Sequence, residues 1–142
     1  MKLSTKGRYG LRAFVDIAIY SEEEPVSLAE VAKRQDISIS YLEQLMTKLK
    51  KANLVEAVRG ASGGYVLSRK PEDISVGDVL RALEGDLSPV ECATEEESCE
   101  HSCGAVGHCT TRLVWKKIND SVNDTINNIF ISELIADSRK GD

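Results

Sequence analysis

Residues 27–52 read SLAEVAKRQDISISYLEQLMTKLKKA, and this stretch predicts two short helices in succession. Ser27-Leu28-Ala29-Glu30 has the pattern of a capping box, in which the serine and glutamate side chains satisfy free amide groups at a helix start. Ser40-Tyr41-Leu42-Glu43 repeats that pattern. We therefore predict one helix over about 28–35 and a second from about 40 to 52.

Asp36 tolerates the left-handed backbone of a tight turn, so these two helices form a predicted helix-turn-helix. The second helix of that motif lies in the major groove of DNA, with its first residues toward the base edges. Gln bonds adenine in bidentate fashion, Glu accepts from the cytosine amino group, and Ser or Tyr serves bases or phosphates. Glu43 has a second interpretation as the capping partner of Ser40. The candidate reading residues are Ser38, Ser40, Tyr41, Glu43 and Gln44.

A β-hairpin is predicted directly after the second helix. Leu54–Val58 and Tyr65–Leu67 have the composition of short strands, and the turn between them contains Gly60, Gly63 and Gly64. After a helix-turn-helix, such a hairpin is interpreted as a wing. Arg59 and Gly60 are its candidate DNA contacts, because a guanidinium suits a narrow minor groove and glycine allows close approach. The alternative for Arg59 is a solvated hairpin charge.

The charge distribution favours a polyanionic partner for the amino-terminal half. Residues 1–70 hold 12 Lys and Arg against 8 Asp and Glu, whereas residues 71–142 hold 6 against 15. The candidate phosphate contacts are cations before or at the start of the first helix and at the end of the recognition helix, and their alternative role is helix solubility: Lys2, Lys6, Arg8, Lys48, Lys50 and Lys51. The sequence shows no nucleotide-binding fingerprint, and we do not expect an enzyme.

Apolar residues at helical spacing predict three further helices, over about 6–20, 75–83 and 111–128. The last of them has an apolar seam suited to another helix, and we expect that seam to form a homodimer interface rather than to pack inside one subunit. The predicted fold class is mainly α with a small β wing: a winged helix-turn-helix domain (1–86), a cysteine-rich loop (87–110), and a long dimerisation helix with the C-terminal segment (111–142).

The chain has four cysteines, and all of them lie just before the last predicted helix: Cys92, Cys99, Cys103 and Cys109. Clustered thiols in a reducing compartment bind metal or sense redox state. Four thiolates suit a 2Fe-2S cluster and also a tetrahedral zinc site. The intervals of seven, four and six residues argue mildly against zinc, whose ligands are usually paired two to four residues apart.

The expected location is the cytoplasm, because residues 1–12 carry four basic side chains without an uninterrupted apolar core. No apolar run approaches the roughly 20 residues of a membrane span, so we expect no membrane partner.

Several segments together resemble the IscR-type family of iron-sulfur cluster regulators: MKLSTKGRYG at 1–10, ISISYLEQL at 37–45, VRG at 58–60 and GGY at 63–65. The resemblance implies a homodimeric winged-helix transcription factor that in some members carries a 2Fe-2S cluster. It also implies that Tyr41, Glu43, Gln44 and Arg59 match the family's reading helix and wing. Two reading helices about one DNA turn apart, roughly 34–36 Å or a multiple of it, require a near-palindromic operator.

The match departs from the family at the cluster. The family pattern has three cysteines and then a histidine three residues after the last, whereas here Arg112 occupies that position, and a guanidinium has no acceptor. Because Cys92, Cys103 and Cys109 match the family cysteines, the fourth ligand is Cys99, His101, His108 or a carboxylate. We predict a regulator of iron-sulfur assembly genes. The alternatives are a nitric-oxide-responsive or cysteine-metabolism repressor of the same fold, or a zinc or thiol-switch DNA-binding protein.

Overall fold

The computed structural model describes residues 3–85, residue 87 and residues 110–140. Over these ranges the chain forms six α-helices, one short 3-10 helix and one two-stranded sheet. In chain order the elements are α1 (Thr5–Tyr20), α2 (Leu28–Gln35), α3 (Ile39–Lys51), β1 (Val55–Val58), β2 (Gly64–Leu67), the 3-10 helix (Pro71–Asp73), α4 (Val76–Glu84), α5 (Arg112–Asn127) and α6 (Ile131–Lys140).

The helix-turn-helix is present, with one correction to its second helix. The capping box of α2 is complete, since Ser27 and Glu30 exchange two hydrogen bonds of 3.3 Å. Asp36 has the left-handed backbone expected of the turn, with φ 55° and ψ 53°. The predicted start of the second helix at Ser40 is wrong. Ser38 is the N-cap, and its hydroxyl oxygen accepts from the amide of Tyr41 at 3.3 Å.

Burial explains this earlier start. Ile37 is buried immediately before the cap, and Leu42 is buried one turn into α3. Ile37 must leave the turn toward the core and Leu42 must face the core from the helix, so the helix begins between them, with Ser38 as its cap. The carboxylate of Glu43 is therefore not the capping partner of Ser40.

The wing is an antiparallel hairpin, in register from Val55 opposite Leu67 to Val58 opposite Gly64. A β-bridge joins it to the residue before α2, because the amides and carbonyls of Val26 and Tyr65 exchange hydrogen bonds of 3.0 and 2.8 Å. A Cβ at Gly64 would lie 2.4 Å from the Val26 carbonyl oxygen, so glycine is required at this contact. The wing is thus held against the entry to the helix-turn-helix.

Helix α4 closes the core from the other side. Ser75 and Asp78 form its capping box, with two bonds of 3.0 Å. Its buried face, which includes Leu83, packs on α1. The approach is close at Gly10, where a Cβ would lie 2.4 Å from Leu83 Cδ1.

The apolar side chains of α5 and of the residues that follow it lie in two different environments. Ile126 and Ile129 pack against the core of the winged domain, whereas the first turns of α5 leave three large apolar side chains exposed: Leu113, Val114 and Ile118. Helix α6, which the sequence pattern did not predict, returns to the core with Ile131 and Ile135 buried. Among the described helices, none is long and apolar enough to cross a bilayer.

Candidate nucleic-acid interface

One side of α3 carries most of the candidate reading residues. Leu42, Leu45 and Leu49 face the core and are at most 1% exposed. Because a helix repeats every 3.6 residues, the opposite side faces outward. The exposed candidate residues of α3 are Ser40, Glu43, Gln44 and Lys48.

Tyr41 differs from these neighbours because α1 holds it in place. Its hydroxyl lies 3.1 Å from the Thr5 hydroxyl oxygen, and its half-buried ring meets the Tyr9 ring edge-on with centroids 6.4 Å apart. Arg12 in turn lies over the Tyr9 ring, 5.4 Å from its centroid. The first turn of α3 is therefore fixed to α1, and Tyr41 is a support as well as a candidate contact.

The tip of the wing is open. Arg59 and Gly60 are both exposed, and a Cβ on Gly60 would meet nothing within 4 Å. Gly60 has φ 113°, a conformation that favours glycine, and its carbonyl accepts from the Gly63 amide at 3.0 Å. Lys6 is exposed near the start of α1, whereas Lys2 lies outside the described residues.

An ion pair between a buried carboxylate and a partly exposed guanidinium joins α1 to α2. Arg34 donates to both oxygens of Asp16 at 2.9 and 2.7 Å, and the Gln35 amide donates to the same carboxylate at 2.9 Å. The Asp16 side chain has no exposed surface, whereas Arg34 is 31% exposed. The hydrogen bond to Asp16 raises the pKa of Arg34 above its ordinary value, so the guanidinium stays charged.

Glu84, at the end of α4, caps the start of α1. Its carboxylate accepts from the Ser4 amide at 3.0 Å, the Ser4 hydroxyl at 2.5 Å and the Gly7 amide at 2.8 Å. The bond from the Ser4 hydroxyl is the main cause that lowers the pKa of Glu84 below its ordinary value. Sequence reasoning missed this residue, because its partners lie 77 to 80 positions away in the chain.

Ile39 is another residue that sequence reasoning missed. It is the first residue of α3, lies between Ser38 and Ser40, and is 47% exposed. The available signal was a large apolar side chain at the reading end of a recognition helix. An aliphatic group there suits contact with a thymine methyl.

The four candidate metal ligands, Cys92, Cys99, Cys103 and Cys109, and the alternatives His101 and His108, lie outside the described residues. Within the described ranges no group of three or more His, Cys, Asp or Glu could hold a metal ion. Four thiolates match a 2Fe-2S cluster in number and type.

The helices on either side of the cysteine segment are joined by Arg81 of α4. Its Nη2 donates to the amide oxygens of Asn123 at 2.8 Å and Asn127 at 2.5 Å, both on α5. Gly77 permits this approach, because a Cβ there would lie 2.3 Å from Asn127 Oδ1. The cysteine segment therefore begins and ends at helices that pack against each other.

The winged helix-turn-helix geometry agrees with a comparison against protein families, in which residues 3–137 match the model for Rrf2, an iron-dependent transcriptional regulator. The chain belongs to the Rrf2 family. It is 41% identical over 135 residues to the HTH-type transcriptional regulator IscR of Pectobacterium atrosepticum, covering 95% of this chain and 79% of that protein. It is 43% identical over 138 residues to the protein rrf2 of Nitratidesulfovibrio vulgaris, covering 97% and 89%.

Solved structures of Rrf2 regulators share the fold. CymR, the global cysteine regulator of B. subtilis, has a TM-score of 0.77 at 39% identity and covers 96% of this chain and 97% of its own. IscR of T. potens has a TM-score of 0.75 at 40% identity, covering 99% and 90%. The predicted winged helix-turn-helix fold, mainly α with a small β wing, is confirmed for this Rrf2 protein, and so is the predicted class of protein, a DNA-binding transcription regulator rather than an enzyme.

Proposed function

We propose that this Rrf2 regulator reads DNA with the outward side of α3 and contacts the adjacent minor groove with the tip of the wing. The observation that carries the proposal is the exposed row on α3 beside an open, arginine-bearing hairpin. In this arrangement Glu43 and Gln44 contact base edges, Ile39 contacts a thymine methyl, and Arg59 enters the minor groove. Ser38, Ser40, Tyr41, Gly60, Lys2, Lys6 and Lys48 supply the remaining base and phosphate contacts.

The test of this reading mode begins with selection of a preferred site from a randomised duplex library. Arg59→Ala should weaken binding to the selected site by about 1–3 kcal/mol, and Gln44→Ala should relax preference at one base position. Arg69→Ala is the matched control, because Arg69 is an exposed arginine outside the wing tip. Equal losses from the two arginine variants would contradict the proposed role of Arg59.

The proposed sensor is a 2Fe-2S cluster held by Cys92, Cys99, Cys103 and Cys109. Support comes from the four-thiol donor set, the iron-dependent description of the family, and the similarity to IscR proteins. His101, His108 or a carboxylate replaces Cys99 in the alternative ligand set, and zinc is the alternative metal. A reducing cytoplasm is the compartment in which such thiolates persist, and control of iron-sulfur assembly genes is the proposed output.

The cluster is tested by purifying the protein without oxygen and measuring visible absorbance with iron, acid-labile sulfide and zinc per monomer. About two iron and two sulfide with a brown spectrum are expected. One zinc in a colourless protein would overturn the cluster and leave a zinc-stabilised DNA binder. The same measurements on Cys99→Ala, His101→Ala and His108→Ala then identify the fourth ligand, because only the variant that lacks it should lose the cluster.

The proposed active form is a homodimer that binds a near-palindromic operator. The support is the exposed ridge of Leu113, Val114 and Ile118 on the first turns of α5, which a second copy would cover. Val114→Glu should yield a monomer in sedimentation equilibrium, while Lys140→Glu, at an exposed lysine of α6 outside this ridge, leaves the dimer intact. Retention of the dimer in the first variant would place the interface elsewhere.

A second candidate function is regulation of cysteine metabolism without a cluster. The observation that favours it is the similarity to CymR, the global cysteine regulator. DNA binding that is unchanged between cluster-loaded and cluster-free protein would support this candidate over the iron-sulfur sensor.

A further inference from the structure

Two adjoining hollows lie between α3 and α4. One part, of about 680 Å³, lies between Gln44, Lys48 and Lys51 of α3 and Ala82 of α4. Lys48 and Ala82 also line a second part, so the two parts adjoin. We call the whole feature the α3–α4 groove.

The adjoining part, of about 440 Å³, extends the α3–α4 groove to the start of α1. Its lining includes Lys6 from α1, Lys48 from α3 and Arg81 from α4. Cations from three different helices therefore line this part of the α3–α4 groove.

The charge of the α3–α4 groove is strongly positive. Among the described residues that line it, the cations are Lys6, Lys48, Lys51 and Arg81, and the anion is Glu84. The Glu84 carboxylate already accepts three hydrogen bonds from Ser4 and Gly7. Glu84 keeps its negative charge and offsets one of these four cations, so three positive charges remain in the groove, and a polyanion is the complementary partner.

The groove continues the reading surface of α3. Ser40, Gln44, Thr47 and Lys51 follow one another at spacings of four, three and four residues, which places them in one line on a helix. Gln44, Thr47 and Lys51 all line the groove. A duplex that meets α3 at its first turns must therefore bring a neighbouring stretch of backbone to the lysine end of the same line.

We propose that the α3–α4 groove is a docking surface for the DNA backbone that flanks the bases read by α3. Lys48 and Lys51 of α3 neutralise phosphates together with Lys6 of α1 and Arg81 of α4. The inference rests on the proposed function and adds Lys51 and Arg81 to its contacts. Arg81 is held by Asn123 and Asn127, so its planar guanidinium is oriented before DNA arrives.

This assignment links DNA to the helix that follows the cysteine segment. Arg81 contacts α5 through two asparagines and lines the phosphate groove with the same guanidinium. A shift of α5 relative to α4 would move one of the groove's cations. The affinity of the protein for the DNA phosphate backbone therefore depends on how α4 and α5 pack.

The test measures the salt dependence of binding to a 30-base-pair duplex of mixed sequence, by fluorescence anisotropy of the full-length protein. Each lost phosphate contact lowers the slope of log K against log salt by about 0.9. Lys51→Ala should lower the slope by that amount, and Lys51→Arg should retain it. Lys50→Ala is the matched control, because Lys50 is the neighbouring exposed lysine of α3 and does not line the groove.

Arg81→Gln provides a second, independent variant, on α4. It should also lower the slope by about 0.9, with the far-UV circular dichroism spectrum unchanged. Equal slopes for Lys51→Ala and Lys50→Ala would overturn the inference while leaving the proposed function intact. A wild-type protein that binds no duplex at any salt concentration would overturn the proposed function, and this inference with it.

Discussion

Replacing Arg34 by alanine should destabilise the protein by about 2–3 kcal/mol, because it removes two of the three hydrogen bonds to a buried carboxylate. Asp16 would retain only the 2.9 Å bond from Gln35. Breaking a fully buried ion pair from one side costs about 3–5 kcal/mol. The lower value follows here because Arg34 is itself 31% exposed, so water can enter where the guanidinium was.

The loss of a ring contact adds to this cost. The Arg34 guanidinium lies 4.0 Å from the centroid of the Tyr20 ring, and an exposed contact of this type contributes about 0.5–1 kcal/mol. Alanine removes both interactions, whereas Arg34→Lys keeps a charge but loses the planar, bidentate geometry. We expect the free energy of unfolding of Arg34→Lys to lie between that of the wild type and that of Arg34→Ala.

Urea denaturation followed by circular dichroism measures the free energy of unfolding, with Lys33→Ala as the matched control on the same helix. Because Lys33 is exposed, Lys33→Ala should lower the free energy of unfolding by less than about 0.5 kcal/mol. A double-mutant cycle with Asp16→Asn should give a coupling energy of at least about 1 kcal/mol. The reasoning is refuted if Arg34→Ala costs no more than Lys33→Ala, or if the coupling energy is zero.

Three further predictions concern α1, α4 and the cysteine segment. Because hydrogen bonding lowers the folded-state pKa of Glu84 below 4.5, its stabilisation is present above that pH and is lost as pH falls through the lower value. Glu84→Gln should therefore have a lower melting temperature than the wild type at pH 7, and the difference should shrink as the pH falls below 4.5; a constant difference would contradict this. Gly10→Ala should lower the free energy of unfolding in urea by about 1–3 kcal/mol, because the added Cβ forces Leu83 to move. An unchanged value would mean that α1 and α4 move apart without loss of stability. Cys103→Ala should abolish visible absorbance while the far-UV spectrum is retained, and unfolding would instead indicate structural zinc.

Local signals predicted the elements whose ends are defined by neighbouring residues. The capping box at Ser27 and Glu30, the left-handed turn at Asp36 and the glycine-rich hairpin were all confirmed. Each depends on hydrogen bonds or backbone angles within a few residues, so a short window of sequence is sufficient. The exposure of Glu43, Gln44 and Arg59 followed from the same patterns, because each lies opposite or outside an apolar face.

The start of α3 shows where a local signal was insufficient. Two serines, at positions 38 and 40, compete for the capping position, and the glutamate at 43 favours the second one by pattern alone. Burial of Ile37 and the contact of Tyr41 with Thr5 and Tyr9 favour the first. Packing energy from several side chains exceeds the benefit of one reciprocal cap, so the tertiary structure decided the start.

By itself, the sequence determined a winged helix-turn-helix with a reading helix, a wing and four clustered thiols, since periodicity, capping and turn chemistry are short-range. Only the tertiary structure showed that α6 returns to the core, that Glu84 caps α1, and that Arg81 joins α4 to α5. These contacts join residues tens of positions apart, and no local pattern encodes their partners. The physical reason is that a carboxylate or guanidinium can satisfy any complementary group, and the folded backbone selects which one it meets.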